Sequence, residues 1–325
     1  MNGSPPTQLV PDRLGAAHRA IPQWFANQAR DLPWRSAQRT AWGVLLSEVM
    51  LQQTPVVRVL PIWHEWMARW PSPTALAGAP TSEVLRGWGR LGYPRRALRL
   101  QAAAQAIRDQ HDGEVPRTEE ELLTLPGIGS YTAAAVAAFA FGARTVVVDT
   151  NIRRVQARLF SGQALPARSL NAAETALAAA VLPDAAEESV RWNLSVMELG
   201  ALICTARSPL CDQCPVRQEC AWIAAGRPEP TYQPKGQAWA GTDRQMRGAV
   251  MAVLRAAEHP LPLEALLERI SPVDGVERPA SDPLAAALRT LHALEADPER
   301  LEGIVAGLVA DGLAHRAAQG LTLPH

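Results

Sequence analysis

Lysine is almost missing from these 325 residues, and Lys235 is its sole occurrence. Lys235 lies in a Pro- and Gly-bearing stretch without helical periodicity, so the helical part of the chain offers no lysine as an amine nucleophile. Aromatic residues are sparse at 5% while alanine is abundant, a balance that favours helices over strands. The longest apolar run, around residues 133–143, is too short to span a bilayer. The N-terminal MNGSPPTQLVPD lacks the basic-then-apolar layout of a secretory signal, and the expected location is the cytoplasm. Serine-hydrolase elbows, phosphate loops and dinucleotide fingerprints are absent, and the seven histidines show no ligand spacing.

What remains is an all-α pattern long enough for two or three domains. Apolar residues recur at helical spacing over 17–223, interrupted by turn signals such as Asp31-Leu-Pro-Trp, Gly92-Tyr-Pro and Pro126-Gly-Ile-Gly. This predicts eight to ten short helices in one compact unit over 1–225. Residues 226–242 lose the periodicity and read as a linker. From 243 to 325, three helical stretches (DRQMRGAVMAVLRAA, LPLEALLERI, RLEGIVAGLVADGLA) precede a hairpin-like HRAAQGLTL, the outline of a winged-helix-like module.

Formal net charge is zero, yet charge is uneven. Residues 86–99 hold five arginines and no acid, and 141–170 hold five against Asp149 alone. Clustered with Trp88 and Tyr93, the first group is expected to form a phosphate-contacting surface. Residues 255–325 carry eleven acids against six arginines, which favours a structural or protein-contacting role for that module over DNA binding.

All four cysteines fall in CTARSPLCDQCPVRQEC: Cys204, Cys211, Cys214 and Cys220, spaced C-x6-C-x2-C-x5-C. A reduced compartment argues against disulfides and for one metal centre. The spacing alone admits either zinc or a cube-shaped iron-sulfur cluster.

Two carboxylates stand out. Glu48, in LLSEVMLQQTP, shares a helical stripe with Ala41, Val44, Leu45 and Gln52 that is otherwise largely apolar. Burial there would raise its pKa towards that of a general acid at neutral pH. Asp149 follows three valines and precedes a helix, where N-cap donors and the helix dipole are expected to lower its pKa. Such a pair suits glycosidic-bond cleavage, one group protonating the leaving group and the other supporting an oxocarbenium ion. Between them, TEEELLTLPGIGSYT opens with a capping box (Thr118, Glu121) and turns at Gly127 and Gly129 into a new helix, the helix-hairpin-helix device for gripping a DNA backbone.

LSEVMLQQTP, GRLGYPRRALRL, LPGIGSYTAAAVAAFAFG, VVVDTNIRRV and the cysteine loop, in this order over roughly residues 20–225, closely resemble the MutY-type adenine DNA glycosylases of the endonuclease III superfamily. The resemblance implies a two-lobed core with a DNA groove between the lobes and a 4Fe-4S cluster on the four cysteines. It also implies a monomer, associated with the nucleoid, that flips adenine mispaired with 8-oxoguanine or guanine out of double-stranded DNA. It assigns Glu48 as general acid and Asp149 as stabiliser of the cationic sugar. Gln53 and Tyr93 match positions that probe or wedge the duplex, with Gln52 and Leu91 beside them; Trp34 is placed like an aromatic of the base pocket, and Gly127, Gly129 and Asn151 belong to the DNA-facing set. Tyr131 stands where strand-cutting relatives carry a Schiff-base lysine, which implies monofunctional catalysis. Residues 243–325 do not resemble the Nudix-like C-terminal domain of the best-known members. Two rivals stay open: a thymine or uracil mismatch glycosylase of the same superfamily, and a DNA-bound iron-sulfur redox sensor.

Overall fold

The computed structural model describes residues 10–233, 236, 238–267 and 281–325. Among the described residues helices predominate, and the chain groups into two compact units. The first comprises Met1–Glu48, Pro116–Thr124 and Ile128–Lys235; the second comprises Val49–Val115, Leu125–Gly127 and Gly236–His325. The part ahead of the linker is thus shared between two units, and among the described residues it holds twelve α-helices instead of eight to ten. One-turn pieces such as Pro73–Ala77 and Ala221–Ala224 are too short to display a period. No helix among the described residues is long and apolar enough to cross a membrane.

The first unit contains α1 (Pro11–Gln28) and α2 (Ala41–Met50) as far as Glu48. After four helices of the second unit it resumes with α7 (Glu119–Thr124), α8 (Ser130–Phe141), α9 (Thr150–Leu159), α10 (Ala172–Ala180), α11 (Ala186–Leu202) and α12 (Ala221–Ala224). Residues Thr132–Phe139 of α8 are buried on every side, as befits a helix that is apolar all round. α11 packs on both α1 and α9. Gly200 permits the second contact, since a Cβ there would lie 2.7 Å from Asn151 Cβ. Glu198 of α11 is fully buried and accepts from Arg30 Nε at 2.7 Å and from Arg35 Nη2 at 3.0 Å. Burial pushes its pKa up, but the two guanidiniums outweigh burial and bring it down to about 2.

The second unit contains α3 (Val56–Arg69), α4 (Pro73–Ala77), α5 (Thr81–Trp88) and α6 (Arg95–Gln110), around buried Trp66 and Trp88 whose rings meet edge-on. Its remainder is α13 (Asp243–Ala256), α14 (Glu264–Leu267), α15 (Pro283–His292), α16 (Pro298–Ala310) and an antiparallel hairpin, β1 (His315–Ala317) with β2 (Gly320–Thr322). The hairpin lies where the sequence places it, and Leu261 bridges to Leu321 beside it. Of the helix expected over 261–270 only α14 is seen, and residues 268–270 lie outside the described residues. α15 is an additional helix: Asp282 caps it, Pro283 opens it, and Leu284, Leu288 and Leu291 bury one face. Arg86 fastens α13 to α5 by donating to the carbonyls of Arg255 and of Ala257, the latter at 2.7 Å. The described residues of 226–242 form neither helix nor strand, and Lys235 lies outside them.

Candidate active site

Helix α2 is buried from Trp42 to Met50, so the carboxyl of Glu48, 5% exposed, has little water to solvate a charge. Tyr131, in the first turn of α8, donates its hydroxyl to Glu48 Oε2 at 2.7 Å. Burial raises the Glu48 pKa to about 7; the Tyr131 bond and the Arg35 charge oppose this, and the Asp149 charge adds to it. The burial and upward shift expected of Glu48 are both present, with Tyr131 as its direct partner. Burial, then the two carboxylates, push Tyr131 itself well above its ordinary value, so it holds its proton as a donor.

Asp149 is the N-cap of α9, accepting from Ile152 N at 2.6 Å and from Asn151 Nδ2 at 2.8 Å. The expected downward shift is not found: burial raises its pKa, and the Ile152 and Asn151 donors and the Arg154 charge only moderate the rise. A helix cap sunk beside other apolar and acidic groups loses more solvation than its donors return. The two carboxyls still differ in kind. Glu48 takes one donor in a dry helix, whereas Asp149 takes several at a helix N-terminus and keeps part of its surface open to solvent. Arg35, near Glu48 and paired with Glu198, completes the electrostatics; single charges outside any motif give the sequence no means of marking Arg30, Arg35 or Glu198.

In the second unit, Gln53 and Tyr93 both adopt left-handed backbone, with φ of 56° and 47°. Such conformations cost roughly 1–3 kcal/mol in a residue other than glycine and cluster at functional sites. Both side chains are exposed, Tyr93 at 41%. Arg96 holds the two loops from inside: Nη1 donates to the carbonyls of Val49, Met50 and Gln52 at 2.9, 3.0 and 2.6 Å. Its Nη2 reaches Thr54 Oγ1 at 2.9 Å, Leu91 O at 3.3 Å and Gly92 O at 3.1 Å. Burial lowers its pKa to about 10, still far above neutrality.

The expected phosphate-contacting cluster of 86–99 is corrected in its membership: Trp88 is buried and three of the five arginines bind within the protein, while Arg90 stays exposed. Arg96 is an interior strut, Arg86 binds carbonyls of the C-terminal module, and Arg95 pairs with Asp311 at 3.3 Å. In the 141–170 stretch, Arg153 pairs with Glu174, and buried Arg154 and Arg158 bind carbonyls. A planar guanidinium with five donors satisfies loop carbonyls in a way a single ammonium does not. Leu91 and Trp34 are buried at 3% and 4%, so neither side chain stands on the surface, while Gln52 and Asn151 are half-buried.

The capping box ahead of the glycine turn is formed reciprocally, Glu121 N to Thr118 Oγ1 at 3.2 Å and Thr118 N to Glu121 Oε2 at 3.3 Å. Gly127 has φ 76°, and a Cβ there would lie 2.6 Å from Arg99 Cβ, so only glycine fits. Gly129 caps α8 with ordinary φ, has open space where a Cβ would be, and leaves the helix N-terminus without a side-chain cap. That bare N-terminus suits an approaching phosphate.

The four cysteine thiols face one another closely enough to act on each other electrostatically. Burial, with the neighbouring thiols, pushes Cys214 up to about 12. Four ionised thiols here need a compensating positive charge, which metal ligation supplies. Arg158 Nη1 lies 3.4 Å from Cys204 Sγ, adding a second cation. Among the described residues no group of three or more acidic, histidine or cysteine side chains closes around a point for one metal ion. Mutual influence among all four thiols fits one shared metal centre on the cysteine loop.

Comparison with known proteins agrees with this site. Residues 46–177 match the family described as HhH-GPD superfamily base excision DNA repair protein, and residues 204–220 match the iron-sulfur binding domain of endonuclease III. Fold and site define a helix-hairpin-helix DNA glycosylase that acts on DNA and carries an iron-sulfur cluster. The chain is 51% identical over 239 residues to the adenine DNA glycosylase of Mycobacterium tuberculosis, covering 73% of this chain and 78% of that one. It is 50% identical over 238 residues to the adenine DNA glycosylase of Mycolicibacterium smegmatis, covering 73% and 80%. The chain belongs to the adenine DNA glycosylase family. Among solved structures, a thermostable thymine-DNA glycosylase is similar with a TM-score of 0.60 and 29% identity, over 66% of this chain and 98% of that one.

Proposed function

We propose that the protein is a monofunctional base-excision enzyme that removes adenine mispaired with 8-oxoguanine or guanine from double-stranded DNA. The observation that carries this reading is the buried Glu48 carboxyl, raised to about 7 and hydrogen-bonded by Tyr131. Glu48 gives its proton to a ring nitrogen of the flipped adenine as the bond between base and C1′ breaks, so the base departs neutral. Asp149 as carboxylate supports the cationic sugar. Water adds to C1′, and its proton returns to the Glu48 carboxylate. With tyrosine at 131 and the sole lysine at 235, no amine forms a Schiff base, and the product is an abasic site.

Gln53 and Tyr93 serve the probing of the duplex, with Gln52 and buried Leu91 beside them; Trp34 serves the base pocket, and Gly127, Gly129 and Asn151 the backbone grip. On this reading the cluster is 4Fe-4S; bound by Cys204, Cys211, Cys214 and Cys220, it staples the loop without contributing a reacting atom. Residues 1–225 form the glycosylase core, 226–242 the linker and 243–325 a winged-helix-like domain, in a cytoplasmic, nucleoid-associated monomer. The likeness to a thymine-DNA glycosylase supports a second reading, excision of mispaired thymine or uracil. A protonated carboxyl favours the purine, which leaves best once its ring is protonated. Single-turnover incubation with duplexes carrying A opposite 8-oxoguanine, A opposite G, T opposite G and normal pairs tests both, with and without hot alkali. Alkali-dependent cutting at A alone is the expected result, and cutting at T would overturn it.

A further inference from the structure

Among the described residues, the large apolar side chains left exposed include two aromatics, Tyr93 at 41% and Trp239 at 52%. One guanidinium touches both. Arg244 Cζ lies 5.1 Å from the centroid of the Trp239 ring, and Arg244 Nη1 donates to Tyr93 Oη at 3.4 Å. Trp239 lies at the end of the linker just before α13 and Arg244 in the first turn of that helix, so both meet a loop of the helical part within the same compact unit.

This arrangement is difficult to explain as packing alone. An indole 52% open to water leaves half of its apolar surface uncovered, and Thr242, which caps α13, accepts from Gln245 N without help from either ring. Exposed aromatics alternating with a guanidinium are what nucleic acid bases stack on. The acidic balance of the module does not oppose DNA at this edge, because the nearby carboxylates are already paired. Asp243 is bound by Arg300 Nη2 at 2.8 Å, and Asp311 is bound by Arg247 and by Arg95, the latter at 3.3 Å.

We propose that Trp239 and Arg244 extend the DNA-contacting surface from Tyr93 across the end of the linker onto the C-terminal module, Trp239 as a stacking face for the DNA strand beside the probed pair. Arg244 is a positioning residue that ties Trp239 to Tyr93 and adds positive charge at that edge. The module then serves duplex binding, a role that its overall acidity hides. The proposal rests on the reading of Tyr93 as a residue that meets DNA.

The test uses the full-length protein loaded with its cluster, a duplex with one A opposite 8-oxoguanine, and the variants Trp239→Ala, Trp239→Phe, Arg244→Ala and the double alanine variant. Dissociation constants are measured over a range of salt, together with single-turnover excision at subsaturating protein and thermal unfolding. Trp239→Ala should weaken binding about 5- to 50-fold, in line with one lost stacking contact, while Trp239→Phe keeps most of the affinity. Arg244→Ala should weaken binding and flatten the salt slope by about one. Loss of excision at subsaturating protein should follow the loss of affinity. Dissociation constants within twofold of wild type in both single and double variants, with folding intact, would overturn the proposal. Should an alanine variant unfold, Trp239→Leu and Arg244→Gln take its place, since they keep side-chain bulk but remove the stacking face or the charge, and wild-type affinity and slope in both would overturn the proposal. Wild-type protein that binds the duplex but removes no adenine would sink the functional reading instead, while the Trp239 effect on binding stands separately.

Discussion

The Tyr131 hydroxyl donates to Glu48 Oε2 across 2.7 Å, so the one acid of a buried helix depends on a phenol in the first turn of another. The bond favours the ionised carboxyl, yet burial prevails and Glu48 sits at about 7. Removing the donor should move the balance further. Tyr131→Phe is expected to keep excision activity while the alkaline limb of its single-turnover pH profile shifts upward. A downward shift would show that Tyr131 does not donate to the carboxylate.

Glu48→Gln retains the volume and a polar head but has no proton to give. Mispaired duplex should bind with near wild-type affinity, while excision falls by at least about 100-fold, the usual weight of a general acid. Gel-shift and single-turnover measurements on one preparation separate the two, and retained excision would remove Glu48 from the chemistry.

The same carboxyl makes stability depend on pH. Its folded value is raised from the ordinary 4.5 to about 7, so its stabilising contribution is fully present below 4.5 and is lost as pH rises through 7. Relative to Glu48→Gln, wild type should lose roughly 3 kcal/mol across this window. Asp149 is coupled to Glu48 by charge, so the difference between the two proteins reads Glu48 together with that coupling. Urea unfolding at several pH values reads the difference, which should be flat if Glu48 is solvated.

Gly200 is a packing device for the second carboxylate. A methyl group there would lie 2.7 Å from Asn151 Cβ and 2.9 Å from its carbonyl oxygen, and Asn151 in turn donates to Asp149. Gly200→Ala is expected to cost about 1–3 kcal/mol in stability and to slow excision, whereas wild-type behaviour in both would show that α9 and α11 separate without consequence.

Arg96 supports Gln53 and Tyr93 through carbonyls on both loops. Lysine at 96 keeps the charge but has too few donors, in the wrong geometry, for six acceptors. Arg96→Lys should lower stability by roughly 2–3 kcal/mol and speed amide exchange at 50–54 and 91–93 above the rest of the unit. Uniform exchange would assign Arg96 to general packing.

Local chemistry in the sequence determined a good deal. Helical period, the Thr118–Glu121 capping box, the Asp149 cap, the left-handed Gly127, the cysteine loop and the apolar setting of Glu48 all follow from neighbours within a few residues. Tertiary structure decided what distant residues do to one another. Tyr131 meets Glu48 across 83 positions, and Arg96 turns inward to serve loops that the sequence leaves apart. The Asp149 pKa rises because burial, a property of the whole fold, exceeds the pull of a local cap. Solvation is lost only when remote segments close over a charge, and a one-dimensional pattern cannot register that loss.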